Sequence, residues 1–159
     1  MYYDFAIAEI HGGPLRPQIK GYVSFQKVYG GVVVCANVQG LPEYKPANNN
    51  DEPIGPFGFH IHEGKSCAIG DPKEPFQEAG EHYNPRNVPH GNHPGDFPVL
   101  VASNGCAQMC FFIDKFTIKE VLGRAIIIHQ NPDDYRSQPT GNAGKRLACG
   151  IIKPIWKYR

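Results

Sequence analysis

Short alternating runs of apolar and polar residues, separated by glycine and proline, restrict the fold of this chain more than any other feature. Residues 21–29 alternate in polarity, Gly30-Gly31 interrupts the pattern, and residues 32–38 form a second, more apolar run. Alternation with a period of two is typical of β-strands, and a glycine pair between two such runs predicts a hairpin. Further strands are predicted at residues 2–10, 57–62, 99–103, 108–113, 125–129 and 147–153.

Helical patterns are almost missing from the sequence. No window has a long helical period, and only residues 117–122 predict one short helical turn. The 18 glycines and 15 prolines suit short strands joined by tight turns. These features predict an all-β sandwich or barrel, and the length of 159 residues suits a single domain that spans 1–159.

The charge and hydropathy patterns argue against several classes of partner. The formal net charge is +1 with histidine neutral, so we expect no nucleic-acid partner and no anionic membrane surface. No stretch approaches the ~20 consecutive apolar residues that cross a bilayer. We therefore expect a globular protein without a membrane partner.

The cysteines and the first residues bear on the cellular compartment. The chain has five cysteines, an odd number that is not a full disulfide framework, and unpaired thiols fit a reducing compartment better. The first residues lack a basic region followed by an apolar region, which an export signal would have. A cytoplasmic location is expected; the alternative is an extracytoplasmic protein whose leader has been trimmed away.

One long segment does not fit a simple β-protein. Residues 63–98 have almost no strand pattern, yet they contain a cysteine, three histidines and two aspartates. A structureless loop of this length in a compact domain is either functional or a sign that its secondary structure has been misassigned. Bound metal and a disulfide are two crosslinks that would order it.

The first group of candidate metal ligands lies on predicted strands. His60 and His62 are two residues apart on a strand, so both imidazoles project from one face. His129 ends the apolar run 125–128. Taken singly, these would be ordinary surface or core histidines. Copper(II) prefers several nitrogen donors, however, and His82 from the long loop would complete a set of four.

The second group lies within the long loop. His82, His90, His93 and Asp96 offer three imidazoles and one carboxylate, which is a plausible tetrahedral zinc set. A chance cluster is the alternative. If His82 served both groups, its ring would bridge two ions.

Four motifs in order give the chain a family resemblance. They are Gly-Phe-His-Ile-His-Glu at 58–63, Gly-Glu-His-Tyr-Asn-Pro at 80–85, His-Pro-Gly-Asp at 93–96, and Gly-Asn-Ala-Gly-Lys-Arg-Leu-Ala-Cys-Gly at 141–150. Between about residues 57 and 152 the sequence resembles the copper,zinc superoxide dismutase family. The resemblance implies a Greek-key β-barrel or sandwich of about eight antiparallel strands with long metal-binding loops. It also implies disproportionation of superoxide to dioxygen and hydrogen peroxide, with copper and zinc as cofactors.

The resemblance assigns a metal to each candidate ligand. It implies a copper site formed by His60, His62, His82 and His129. It implies a zinc site formed by His82, His90, His93 and Asp96. A non-catalytic protein of the same fold that stores or delivers copper or zinc is the alternative function.

The family pattern also implies roles for residues around the metals. Arg146 would guide the superoxide anion to the copper, and His82 would bridge the two metals and take up a proton. Asp133 would be the carboxylate that holds ligand rings on both metals, since such partners fix the orientation of an imidazole. Asp134 is the competitor for that role.

The resemblance further implies a disulfide and a homodimer. Cys67 would pair with Cys149, so Cys35, Cys106 and Cys110 are expected to be free.

The sequence departs from the usual family pattern in one respect. Only two residues separate His90 from His93, which is fewer than is usual in the family. The zinc-binding loop is therefore expected to be shortened.

Overall fold

Seven β-strands form one antiparallel sheet in the computed structural model, which describes residues 3–155. Their order across the sheet is β4-β6-β7-β1-β2-β3-β5, and neighbouring strands are antiparallel throughout. The all-β prediction is confirmed. The strands are β1 (Phe5–Gly12), β2 (Lys20–Val28), β3 (Gly31–Gln39), β4 (Phe59–His62), β5 (Ala107–Ile113), β6 (Ala125–His129) and β7 (Arg146–Pro154).

The chain crosses three times between opposite edges of this sheet. β3 and β5 lie at one edge and β4 at the other, with β6 beside β4, so the chain crosses after β3, after β4 and again after β5. Such crossings are typical of Greek-key β-proteins. The last crossing contains the helix α1 (Ile118–Val121), as the pattern at 117–122 predicted. No helix within residues 3–155 is long and apolar enough to span a membrane.

One predicted strand is wrong. Residues 99–103 form only isolated bridges, between Phe57 and Leu100 and between Ser103 and Cys106. Leu100 is fully buried, whereas Val101 is exposed, so the apolar pattern reflects one anchoring side chain rather than a strand. The predicted strand at 2–10 begins at residue 5 in the structure, and Met1 and Tyr2 lie outside the described residues.

The main core fills the concave face of the sheet. Alternate residues of each strand point inward, and large side chains such as Phe25, Phe59, Ile126 and Leu147 are completely buried there. Burying a side chain of this size contributes about 1.5–3 kcal/mol. The alternation that predicted the strands is therefore the pattern that builds the core.

The β4–β6 edge is buried on both of its faces. Phe59 and Ile61 pack into the main core, so the alternate residues His60 and His62 point to the opposite face. On a bare sheet that face would be exposed, but all four residues of β4 are buried. Residues of the connections at 63–106 and 130–145 cover this face, where Phe76 and Ala79 pack against Ile127 and Asp133 contacts His60.

Two disulfides are present where the sequence predicted one. Cys67 in the long loop is bonded to Cys149 on β7. The prediction that Cys35 and Cys110 are free thiols is wrong, because they form a second disulfide. They stand directly opposite each other on the adjacent strands β3 and β5, with Cα atoms 4.1 Å apart. Cys106 alone is free.

Candidate metal centre

Six of the seven histidines are buried together beneath the two covering loops. Each has at most 5% of its surface exposed. Imidazoles are polar, and burying so many in one place is costly unless their nitrogens find partners. The buried histidines are His60, His62, His82, His90, His93 and His129.

The first cluster brings together the four residues predicted as copper ligands. His60, His62, His82 and His129 each offer one ligand atom, and these atoms all lie within 4.8 Å of one another. The Nε2 atoms of His62 and His129 are 3.1 Å apart. The strands explain three of the positions, because β4 carries His60 and His62 on one face beside β6, which ends at His129.

Backbone carbonyls hold two of these rings in orientation. His62 Nδ1 lies 2.8 Å from the Gly80 carbonyl oxygen, and His129 Nδ1 lies 3.2 Å from that of Gly144. A carbonyl can only accept, so each Nδ1 must donate its hydrogen. The lone pair of each neutral ring is thereby placed on Nε2, the atom that faces the cluster.

Asp133 joins the two clusters. Its Oδ2 lies 2.6 Å from His60 Nε2, and its Oδ1 lies 2.8 Å from His90 Nε2. The carboxylate is fully buried and accepts from both rings, which leaves their Nδ1 atoms for another partner. Asp134 instead is exposed and accepts hydrogen bonds within its own turn from Ser137.

The second cluster is the predicted zinc set. Asp96 Oδ1 lies 3.0 Å from His82 Nδ1 and 3.2 Å from His93 Nδ1, and Asp96 Oδ2 lies 3.2 Å from His90 Nδ1. Ligands about 2.0–2.1 Å from a tetrahedral zinc ion are separated by roughly 3.3 Å from one another. The separations in the structure are close to that value. His93 also lies at this distance from Asp96, so the short sequence spacing between His90 and His93 does not move it out of the cluster.

Buried nitrogens without hydrogen-bond partners show that the donors fit metal ions. An unsatisfied buried polar atom costs about 1–3 kcal/mol, so four in one site need an explanation. Nitrogen donors suit copper, and three imidazoles with a carboxylate suit zinc. These atoms are His60 Nδ1, His82 Nε2, His90 Nδ1 and His93 Nδ1; the last two approach Asp96 but are not aligned for a hydrogen bond.

Burial keeps several of these imidazoles neutral, which is the form that binds metal. Burial, reinforced by the neighbouring histidines, lowers the pKa of His60 and His62 well below its usual value. The same causes lower the pKa of His129 to about 3. Burial alone would raise the pKa of Asp96, but the hydrogen bond from His82 and the nearby histidine charges outweigh it and keep the carboxyl ionised.

Arg146 lies beside the first cluster and is held by two hydrogen bonds. Its Nη1 donates to the Phe76 carbonyl and its Nη2 to the Gly80 carbonyl, each at 2.7 Å. Gly80 O therefore serves both Arg146 and the His62 ring. Burial lowers the pKa of the Arg146 guanidinium, an effect that the nearby Glu81 only partly offsets, but an arginine stays charged at neutral pH.

Comparisons with known proteins agree with this geometry. The family model for copper/zinc superoxide dismutase matches residues 19–152. The chain belongs to the copper/zinc superoxide dismutase family. Among curated relatives, the Cu-Zn superoxide dismutase of Legionella pneumophila is 32% identical over 96% of this chain and 93% of that protein. Superoxide dismutase [Cu-Zn] A of Xenopus laevis is 35% identical over 84% of this chain and 89% of its own.

A solved structure is similar as well. The Cu/Zn superoxide dismutase from Brucella abortus matches with a TM-score of 0.73 and 27% identity, over 94% of this chain and 99% of that one. The Greek-key β-barrel prediction is thereby confirmed. This member of the family is a superoxide dismutase, with copper and zinc as its cofactors.

The sequence did not reveal the backbone partners of this superoxide dismutase. Gly80 and Gly144 lie within recognised motifs, but nothing in the residue types indicated that their carbonyls orient His62 and His129. Gln138, which contacts the backbone of His90, had no signal at all because its segment matches no motif.

Proposed function

We propose that this protein disproportionates superoxide at a copper and zinc pair bridged by His82. The observation that carries the proposal is the position of that one ring. His82 belongs to both clusters, with Nδ1 beside Asp96 and a buried, partnerless Nε2. An imidazole binds two ions only when both nitrogens have lost their hydrogens, and this ring has one nitrogen available to each cluster.

The proposed copper ligands are His60, His62, His82 and His129, and the proposed zinc ligands are His82, His90, His93 and Asp96. When bound, copper supplies the one-electron chemistry by which two superoxide ions and two protons become dioxygen and hydrogen peroxide. Four nitrogen donors suit that metal. The carboxylate of the second set suits zinc, which does not change its oxidation state.

Asp133 is proposed to fix the positions of the two metal sites relative to each other. Its two oxygens accept from His60 and His90, one ring from each cluster. Fixing these rings at Nε2 presents Nδ1 to the metals and raises the basicity of the ligands. Gly91 N–H and His93 N–H both donate to Asp96 Oδ2, which holds that carboxylate in turn.

Arg146 is proposed to bind the substrate anion. A guanidinium has five N–H donors, and the hydrogen bonds to Phe76 and Gly80 use only two of them. The two bonds fix the charge beside His62 and leave donors for a small anion. Since the net charge of the molecule is only +1, the attraction of superoxide must come from such local charge.

A superoxide-decay assay on protein loaded with copper and zinc tests this function. We expect rapid decay, and we expect His82→Gln to abolish it while the chain still folds and binds a single metal. Tight zinc binding with no copper absorption and no superoxide decay would contradict the proposal. The same result would favour storage or delivery of metal instead.

The assembly and compartment are part of the proposal. The resemblance to the family supports a homodimer, and sedimentation should give the mass of two chains; the mass of one chain would contradict it. The predicted cytoplasmic location rested in part on unpaired thiols, but four of the five cysteines are paired. Disulfides persist in oxidising compartments, so we propose one. Reduced Cys35 and Cys110, trapped by alkylation in intact cells, would argue against it.

A further inference from the structure

The segment around His90 depends on another loop for its shape. Only two residues separate His90 from His93, so this stretch is too short to form a ladder of its own. Asn92 N–H donates to the Pro89 carbonyl, and the side chain of Lys115 donates to Asn92 from outside. Contacts from elsewhere in the molecule therefore hold the backbone of this predicted zinc ligand.

Gln138 supplies two of those contacts. The His90 N–H donates to Gln138 Oε1 at 2.8 Å, and Gln138 Nε2 donates to the His90 carbonyl at 3.3 Å. The amide side chain thus pairs with both backbone groups of one residue, as a neighbouring strand would. Gln138 lies on the connection between β6 and β7, far from His90 in the sequence.

Neighbouring contacts make this pairing part of a close fit. Asp133 on the same connection accepts from the His90 ring, while a Cβ atom at Gly91 would overlap the carbonyl oxygen of Tyr135. The backbone and the ring of His90 are therefore both fixed by residues 133–138. A rotation of the His90 backbone would move its Nδ1 away from Asp96.

We propose that Gln138 is a positioning residue for the zinc site, which it serves by fixing the backbone of His90. The inference rests on the proposed role of His90 as a zinc ligand. Zinc needs its donors at about 2.0–2.1 Å in tetrahedral directions, so a small displacement of one ligand weakens binding. Removing a hydrogen-bond partner of a metal ligand typically lowers metal affinity by about 10–100-fold.

Three substitutions at this position separate its hydrogen bonds from its size. Gln138→Leu keeps a similar volume and removes both bonds to His90, together with the bond from Nε2 to the Arg136 carbonyl. Gln138→Asn keeps the amide but is too short to reach His90. Gln138→Glu keeps the acceptor for the His90 N–H and loses the donor. Gln108→Leu, at an exposed glutamine on the outer face of β5, is the matched control.

Zinc affinity, measured by competition with a chelator on metal-free protein, is the main readout. We expect about 10-fold weaker zinc binding for Gln138→Leu and Gln138→Asn, and a smaller loss for Gln138→Glu. Copper affinity and the unfolding midpoint of the metal-free protein should match those of the Gln108→Leu control. A merely structural role would shift that midpoint and weaken both metals together, and this result would overturn the proposal.

Cobalt(II) binding separates failure of this inference from failure of the site itself. The wild-type protein should give the intense visible absorption of tetrahedral cobalt(II), and Gln138→Leu should weaken or broaden it. Wild-type protein without this absorption would overturn both the zinc assignment and the role of Gln138. Wild-type absorption that Gln138→Leu leaves unchanged, in position and in affinity, would overturn the role of Gln138 alone.

Discussion

At the scale of single residues, a hydrogen bond at one nitrogen orients each of four imidazoles proposed as metal ligands. A carbonyl or carboxylate oxygen accepts a hydrogen bond from one ring nitrogen, and the other nitrogen faces the cluster. The four rings are those of His60, His62, His90 and His129. The nitrogen that faces the cluster is Nδ1 in His60 and His90, and Nε2 in His62 and His129. The choice follows from backbone geometry, so residue types alone cannot reveal it.

Gly141 should be needed for the Asp133 bridge. It has φ +67°, and a Cβ there would overlap Asp133 Oδ1 and crowd His90 Nε2. We expect Gly141→Ala to destabilise the fold by about 1–3 kcal/mol and to weaken both metals, since Asp133 serves both clusters. Urea unfolding and metal titration measure these effects.

Gly70 gives a matched control for that substitution. Its φ is +60°, yet a Cβ would meet nothing within 4 Å. Gly70→Ala should therefore show only the backbone cost, about 1–2 kcal/mol, with metal affinity unchanged. If Gly141→Ala costs no more than Gly70→Ala and binds both metals normally, the close approach to Asp133 is unimportant.

Arg146 should control capture of the substrate. Arg146→Ala should slow turnover several-fold or more with both metals still bound, and Arg146→Glu should be slower because it repels superoxide. The dependence of the rate on salt should flatten, since screening acts on the charge that has been removed. The measurement is the superoxide-decay rate at several ionic strengths.

Lys145 provides the control for charge alone. It is adjacent in sequence and lies 3.6 Å from Glu74 in an exposed ion pair. Lys145→Ala removes the same charge from the surface and should change the rate much less. Equal effects of Lys145→Ala and Arg146→Ala would show that general charge, rather than the fixed guanidinium, attracts the anion.

At the scale of elements, most of the strands were predictable because their alternation builds the core. β2, β3, β5, β6 and β7 lie within about two residues of the predicted ends. Residues 99–103 misled the prediction because an apolar run with one buried anchor looks like a strand. The Cys35–Cys110 disulfide was missed because these residues are 75 apart in the sequence and meet only through the pairing of β3 with β5. No local sequence pattern indicates which residues of two distant strands lie opposite each other.

The two disulfides should contribute alike to stability but differently to activity. Their sequence separations of 75 and 82 residues imply similar chain-entropy contributions, with about 4.5 kcal/mol as an upper guide. Cys67 lies on the loop whose carbonyls hold Arg146 and His62, whereas Cys35 and Cys110 lie on the outer face of the β3–β5 edge. Paired serine variants should thus both unfold earlier, with superoxide-decay activity lost only when Cys67–Cys149 is removed.

Thiol labelling tests the pairing before any substitution is made. Alkylation of denatured, unreduced protein followed by mass spectrometry should modify Cys106 alone. Modification of Cys35 and Cys110 would contradict the second disulfide. Equal activity loss in both serine pairs would contradict a specific role for the link between the long loop and β7.

At the scale of the whole molecule, the sheet supplies some of the proposed metal ligands and the loops supply the rest. Strand ends place His60, His62 and His129, and the long loop brings in His82, His90, His93 and Asp96. The two groups of residues that the structure brings together could be proposed as ligand sets from the sequence only because whole motifs resemble a known family. The contacts between loops, such as Gln138 with His90, depend on how two connections pack, and that packing has no local pattern.

The stability of the metal-free protein should fall as the pH falls below about 6.5, the ordinary pKa of histidine in an unfolded chain. Burial lowers the folded-state pKa of His60, His62 and His129, in the last case to about 3. Above pH 6.5 these rings are neutral in both states, so pH has little effect. Below it the unfolded chain binds protons that the folded chain does not, and each such histidine removes up to about 1.4 kcal/mol per pH unit.

Urea unfolding of metal-free protein between pH 7.5 and 5 measures this loss. His129→Phe removes one of the buried imidazoles and should make the decline shallower, whereas His11→Gln, on the exposed end of β1, is the matched control. Zinc and copper should raise the whole curve, because a ligand that binds only the folded state stabilises it by mass action. A flat profile for the metal-free protein down to pH 5 would mean that these rings gain protons without unfolding, and the site would then be open to water.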